Sequence, residues 1–219
     1  MGVDALHLKK ILEELRSYNA TLVAVSKKKP VSEIQQVYNT GHKIFGENYV
    51  QELKEKCEML PKDIQWHFIG HLQTNKVKVI APFVSLIQSV DSIKLLKEIN
   101  KEAEKNNRLI NCLLQVHIAQ EETKFGLSFR EAETLLHSSE LKQMKNVSIT
   151  GFMGMATLTD EELKIRSEFK ALKNLRDSLQ SSDTQLNTLS MGMTSDYKIA
   201  LEEGSTMVRI GSAIFGERI

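Results

Sequence analysis

Three consecutive lysines, Lys27, Lys28 and Lys29, follow an apolar strand-forming run in the stretch TLVAVSKKKP, Thr21 to Pro30. An amine at the end of a buried strand either stays a solvated cation or loses its proton and attacks a carbonyl. Strand side chains alternate, so Val23, Val25, Lys27 and Lys29 share one face, and Leu22, Ala24, Ser26 and Lys28 share the other. If the Val23/Val25 face points inward, Lys27 enters a pocket, while Lys29, which precedes Pro30, sits in the loop. On local grounds alone a basic strand end in water is the favoured reading, because lysine is seldom buried.

Two further stretches have the chemistry of a phosphate cradle. In SMGMTSD, Gly192 lets backbone approach closely, and Thr194, Ser195 and Asp196 open a helix predicted over 195–203 with Ser195 as its cap. In VRIGS, Gly211 and Ser212 do the same. Backbone N–H groups at a helix start, with hydroxyls beside them, hold a phosphate; helix capping and a plain turn are the simpler uses. Arg209 lies between Val208 and Ile210 and so faces away from them. An inward guanidinium requires an acceptor, and no carboxylate occupies a strand position that obviously faces it. An aromatic ring nitrogen of a ligand would serve. His67 and His71 form an HxxxH pair, but Gly70 separates strand from helix there and no glutamate follows His67, which argues against a metal site. Lys124, in EETKFGLS, is a loop cation opening onto the same side. A lysine, a phosphate cradle and an inward arginine together point to a phosphorylated carbonyl held as an imine, of which pyridoxal 5'-phosphate (PLP) is the obvious candidate.

These groups need a scaffold that brings distant strand ends together. Short apolar runs recur at Leu22–Ser26, Ile44–Gly46, Trp66–Gly70, Leu86–Val90, Leu109–Ile118, Ile149–Met155, Thr188–Met191 and Met207–Ile210. Helical stretches near 31–40, 48–58, 73–80, 92–106, 128–139, 160–181 and 195–203 separate them, with Ser92 and Ser128 as further caps. Such alternation predicts βα units and a parallel sheet. Eight strands in 219 residues predict a single (β/α)8 barrel over residues 1–219, whose active face is at the C-terminal strand ends. A doubly wound open sheet is the alternative, but no GxGxxG is present. Leu8, Ile11, Leu12 and Leu15 mark an extra N-terminal amphipathic helix. Trp66 and Phe68 are expected on the helix-facing side.

Composition excludes several classes. The net charge of +1, from 29 Lys+Arg and 28 Asp+Glu, gives no global field for nucleic acid or an anionic membrane. Cys57 and Cys112 form no CxxC, so neither a zinc site nor a disulfide framework is expected. No apolar run approaches the ~18 residues that span a bilayer. The N-terminus lacks a signal-peptide core, and Leu6 defeats a myristoylation motif at Gly2, so the expected location is cytoplasmic.

The motifs AVSKKKP, FGENYVQE, WHFIGHLQTNK, SMGMTSD and GSTMVRIGSAIFGER, in this order, resemble the pyridoxal phosphate homeostasis protein family, the YggS/PROSC group. The resemblance runs from Leu22 to Arg218 and implies a barrel of the alanine-racemase N-terminal-domain type that binds PLP in vitamin B6 and amino-acid balance. It implies Lys27 as the Schiff-base residue, Lys29 and Lys124 as lysines that handle the cofactor, and Asn48 near the ring. It places Arg209 near the pyridine nitrogen and Met193, Thr194, Ser195, Gly211 and Ser212 near the phosphate. His67 is counted with these cofactor-binding candidates. Lys28 stands where many relatives have Thr, and Thr194 where many have Ser.

An imine-forming lysine must be neutral, and burial beside cations such as Lys29 favours that state. A guanidinium at the ring nitrogen only donates, so the ring stays a poor electron sink. With the sequence ending at Ile219, just after the eighth strand, no second domain is expected to supply a racemase base. The expectation is therefore a monomeric PLP-binding homeostasis protein without catalytic turnover, whose partners are PLP and the apo-enzymes that would receive it. A small PLP-dependent racemase or lyase is the alternative, and a phosphate-binding barrel that forms no imine is a third.

Overall fold

The computed structural model describes residues 3–120, 125–180 and 185–216. Eight strands, β1 (Thr21–Val25), β2 (Ile44–Glu47), β3 (Gln65–Phe68), β4 (Leu86–Val90), β5 (Ile110–Gln115), β6 (Val147–Met153), β7 (Thr188–Met193) and β8 (Met207–Ile210), close into one barrel in sequence order. Every pairing is parallel, and β1 meets β8 with Val23 opposite Arg209. Helices α1 (Ala5–Ser17), α2 (Val31–Asn39), α3 (Val50–Met59), α4 (Val77–Ile80), α5 (Ile93–Lys105), α6 (Phe129–His137), α7 (Ser139–Gln143), α8 (Glu162–Leu179), α9 (Tyr197–Glu202) and α10 (Ser212–Phe215) complete the βα units.

Strand alternation divides the apolar residues into two cores. Leu22, Ala24, Phe45, Trp66, Phe68, Val208 and Ile210 point outward and pack with the helices. Val23, Leu86, Leu113, Met153 and Met207 fill the barrel interior. The expected N-terminal helix forms: Leu8, Ile11 and Leu15 bury one stripe of α1, and each contributes about 2 kcal/mol by leaving water. Its Asp4 cap accepts from the N–H of His7 at 2.9 Å, and the Asp4 N–H donates to the carbonyl of Ile214, tying α1 to α10.

Several expected boundaries move for identifiable reasons. The fifth strand is shorter than Leu109–Ile118, with Leu109 exposed, and the sixth starts earlier, at Val147. The stretch 73–80 is a 3-10 turn, Thr74–Lys76, followed by one turn of α-helix. The helix over 128–139 breaks at Ser138, which accepts from the N–H of Leu141 and caps α7. Ser92 caps α5, and Ser128 with Glu131 forms a capping box at α6. Ser195 is not a cap. α9 begins at Tyr197, and the Asp196 carboxylate turns back to accept the N–H of Met193 at 2.6 Å. Among the described residues, no helix is long and apolar enough to cross a membrane.

Candidate functional site

Past the end of β1 the chain makes a tight turn in which the Lys29 N–H donates to the carbonyl of Ser26 at 3.0 Å. Lys28 lies in the left-handed region at φ 60°, uncommon for a residue with a side chain. The turn leaves Lys28 exposed and sets Lys27 and Lys29, both half-buried, against a cavity of about 170 Å³ at the barrel mouth. The Lys29 amine donates to the carbonyl of Phe215 at 2.7 Å and lies 3.9 Å from Glu33.

A buried charge cluster anchors this turn from behind. The Lys56 amine reaches the Ser26 carbonyl, Glu47 Oε1 and Glu52 Oε1, each at 2.7 Å. Ser26 Oγ donates to Glu47 Oε1, and the Lys28 N–H donates to Glu52 Oε1 at 2.6 Å. Burial raises the Glu47 pKa above the ordinary carboxylate value, and Lys56 opposes that rise. Glu52 and Lys56 are not among the expected site residues. The usable signal was the i,i+4 pair Glu52/Lys56 at the end of FGENYVQELKEK, which α3 presents on one face.

Arg209 points into the barrel, as the alternation of β8 requires, and is 5% exposed. Its acceptors are Ser190 Oγ at 2.6 Å and the carbonyl of Gly154 at 3.0 Å. Burial pushes its pKa down to about 10, opposed by the Asp196 charge. Thr194 and Ser212 face each other across the last two loops, with Ser212 Oγ 3.2 Å from Thr194 Oγ1. Gly192 makes this loop possible: at φ +96° a Cβ would also lie 2.6 Å from that of Ala200. Asn48 stands at the rim, where a Cβ on Gly70 would lie 2.2 Å from its carbonyl oxygen. Its Oδ1 is buried without a hydrogen-bond partner among the described residues.

Lys27, Lys29, Asn48, Met193, Thr194, Arg209, Gly211 and Ser212 thus line one cavity, with Ile69 and Met155 as unforeseen apolar walls. Two expected residues, His67 and Ser195, do not join them. His67 lies deeper in the barrel, hydrogen-bonded to Gln88, because parity fixes which way a side chain points but not its depth. Ser195 lines an adjoining hollow with Met193 and Asp196. Lys124 lies outside the described residues. His71 is separated from His67 and sits at the rim, stacked on Phe125 and 3.4 Å from Asp91. Among the described residues, no group of three or more His, Cys, Asp or Glu side chains could hold a metal.

The residues present suit a phosphorylated aromatic aldehyde: an amine, an orphaned amide oxygen, a cation with acceptors behind it, and paired hydroxyls beside the first N–H groups of α10, which have no partner within their own helix. Comparison with known proteins agrees with this chemistry. The family described as alanine racemase, N-terminal domain, matches residues 5–219. The pyridoxal phosphate homeostasis protein of Aquifex aeolicus is 44% identical over 202 residues, covering 91% of this chain and 87% of that one. PipY of Synechococcus elongatus, solved without PLP, superposes with a TM-score of 0.86 at 33% identity, covering 94% of this chain and 99% of that chain. Solved with PLP bound, PipY gives a TM-score of 0.83 at 32% identity. An alanine racemase of Clostridium difficile shares the fold at 12% identity, with a TM-score of 0.77 over 99% of this chain and 58% of its own. The chain therefore belongs to the alanine racemase N-terminal domain family and, within it, to the pyridoxal phosphate homeostasis proteins.

Proposed function

We propose that this chain binds PLP in the cavity at the barrel mouth and holds it for release, as a homeostasis protein rather than a turnover enzyme. The observation that carries the reading is the convergence of Lys27, Arg209 and the Thr194/Ser212 cradle on one cavity. PLP supplies an aldehyde that bonds a neutral amine, and a phosphate that anchors it. Lys27 is the amine; Thr194, Ser212 and the N–H groups opening α10 hold the phosphate; Asn48 meets the ring edge. Lys29 is a second cation on the same cavity wall, which favours the neutral form of Lys27.

Arg209 supports the non-catalytic half of the reading. A guanidinium donates and never accepts, so at the ring nitrogen it supplies no carboxylate to keep that nitrogen protonated. The unit proposed is a single-domain monomer acting in the cytoplasm, with apo-enzymes as recipients. Purified protein loaded with PLP should absorb in the visible and lose that band on borohydride reduction, with the label fixed on Lys27. A Lys27→Ala protein that still gives the band at wild-type level would sink the assignment. Steady racemisation of a single L-amino acid would sink the non-catalytic half.

A further inference from the structure

We propose that Ser190, Gln88 and His67 form a one-way hydrogen-bond chain across the barrel floor that positions Arg209, and that His67 ends it as the neutral tautomer protonated on Nε2. Its application to the ligand rests on the PLP reading above; the chain itself does not.

The direction follows from donor chemistry. Arg209 has only donors, so Ser190 Oγ, 2.6 Å from Nη1, must accept. The single Ser190 proton then goes to Gln88 Oε1 at 2.7 Å. That commitment turns the amide nitrogen of Gln88 toward two atoms, Met207 Sδ at 3.2 Å and His67 Nδ1 at 3.1 Å. Both must accept, so Nδ1 carries no proton. Met207 breaks the one ambiguity of an amide. A flipped Gln88 would set its oxygen 3.2 Å from a sulfur that cannot donate, and would require a proton on Nδ1. Burial acts in the same sense on His67, pushing its pKa down to about 4.

The consequence is functional because Gln88 and Ser190 do not line the cavity, whereas Arg209 does. Gly154 holds one Nη of the guanidinium and Ser190 the other, so the plane Arg209 presents to a ligand is set from beneath. Ser190 and Gln88 are fully buried on β7 and β4, and the chain joins strands on opposite sides of the barrel. A buried polar chain of this kind is stable only when every member is satisfied, which makes its polarity specific.

The test begins with ligand-free protein labelled with 15N-histidine. Two-bond 1H–15N correlation spectra, with His67 identified by its absence in His67→Asn, should show the Nε2–H tautomer at neutral pH and still neutral near pH 5. A proton on Nδ1, or a charged ring at neutral pH, would overturn the chain whether or not PLP binds. With PLP loaded, Gln88→Leu and Ser190→Ala should each shift the visible band and weaken PLP binding several-fold. His67→Asn keeps an acceptor near the Nδ1 position and should preserve the band, where His67→Leu should not. An unchanged band and affinity in both Gln88→Leu and Ser190→Ala would overturn the positioning role. If PLP does not bind while His67 is the Nε2–H tautomer, the ligand reading fails and the chain stands. The wild-type tautomer serves as the test should either variant fail to fold.

Discussion

Lys56 Nζ and Glu47 Oε1 lie 2.7 Å apart in the space between barrel and helix α3, directly behind the turn that presents Lys27. Their side chains are 5% and 0% exposed, so neither charge has water as a substitute partner. Removing one member of such a pair strands the other. Lys56→Met should therefore destabilise the fold by about 3–5 kcal/mol, read from denaturant midpoints. The loss should shrink in acid, where Glu47, already raised by burial, takes up a proton. A loss under ~1 kcal/mol would mean the pair does not hold the turn.

The hydroxyl pair should matter to the phosphate alone. Thr194→Val and Ser212→Ala each remove one charge-assisted hydrogen bond, so PLP affinity should fall about tenfold or more in each. Binding of pyridoxal, which lacks the phosphate, should stay within twofold of wild type. Titration of the visible band with both ligands checks this, and equal losses for the two would disprove the cradle.

Acidification should weaken the fold through His67. Its folded pKa of about 4 lies below the ordinary 6.5, so the unfolded chain binds more protons between these values. The stabilisation is complete above pH 6.5 and is lost as pH falls toward 4. His42, also lowered by burial, adds in the same direction, and Glu47, raised by burial, opposes. The difference between wild type and His67→Asn isolates the first effect: His67→Asn should show a shallower decline, by up to about 3 kcal/mol over that range. Parallel pH profiles would contradict it.

Helix α1 is bound to the barrel by its apolar stripe. Ile11→Ala should cost about 2–5 kcal/mol in thermal or denaturant unfolding, with the PLP band unchanged in the folded protein. A shifted band would show that α1 reaches the site through its contact with α10.

The features of this molecule that depend on period were legible in its residues. Eight alternating units give the barrel, and the parity of Val208, Arg209 and Ile210 sends the arginine inward. Lys27 and Lys29 do line one cavity, but strand parity is not the cause, since both lie beyond β1 in a turn with Lys28 left-handed. Depth was not legible: His67 has the right direction and the wrong height. Nor was the acceptor of Arg209, because Ser190 is 19 residues away and Gly154 contributes backbone rather than a side chain. Ser195 reads as a cap because serine is a good one there, yet the Asp196 carboxylate, one residue nearer α9, forms the local turn instead.

The four residues of α10 make a bar about 6 Å long, at 1.5 Å per residue, with the Ser212 hydroxyl at one end and the Phe215 carbonyl that holds Lys29 at the other. The Lys29 amine and the Ser212 hydroxyl are thereby fastened to one short rod, and under the proposed binding mode this rod would set the distance from the lysine turn to the phosphate. The barrel should accept a ligand whose reactive carbon and phosphate match that span and reject its homologues. A PLP analogue with one extra methylene between ring and phosphate should bind far more weakly than PLP, and equal binding of the two would show that the rod does not set the spacing.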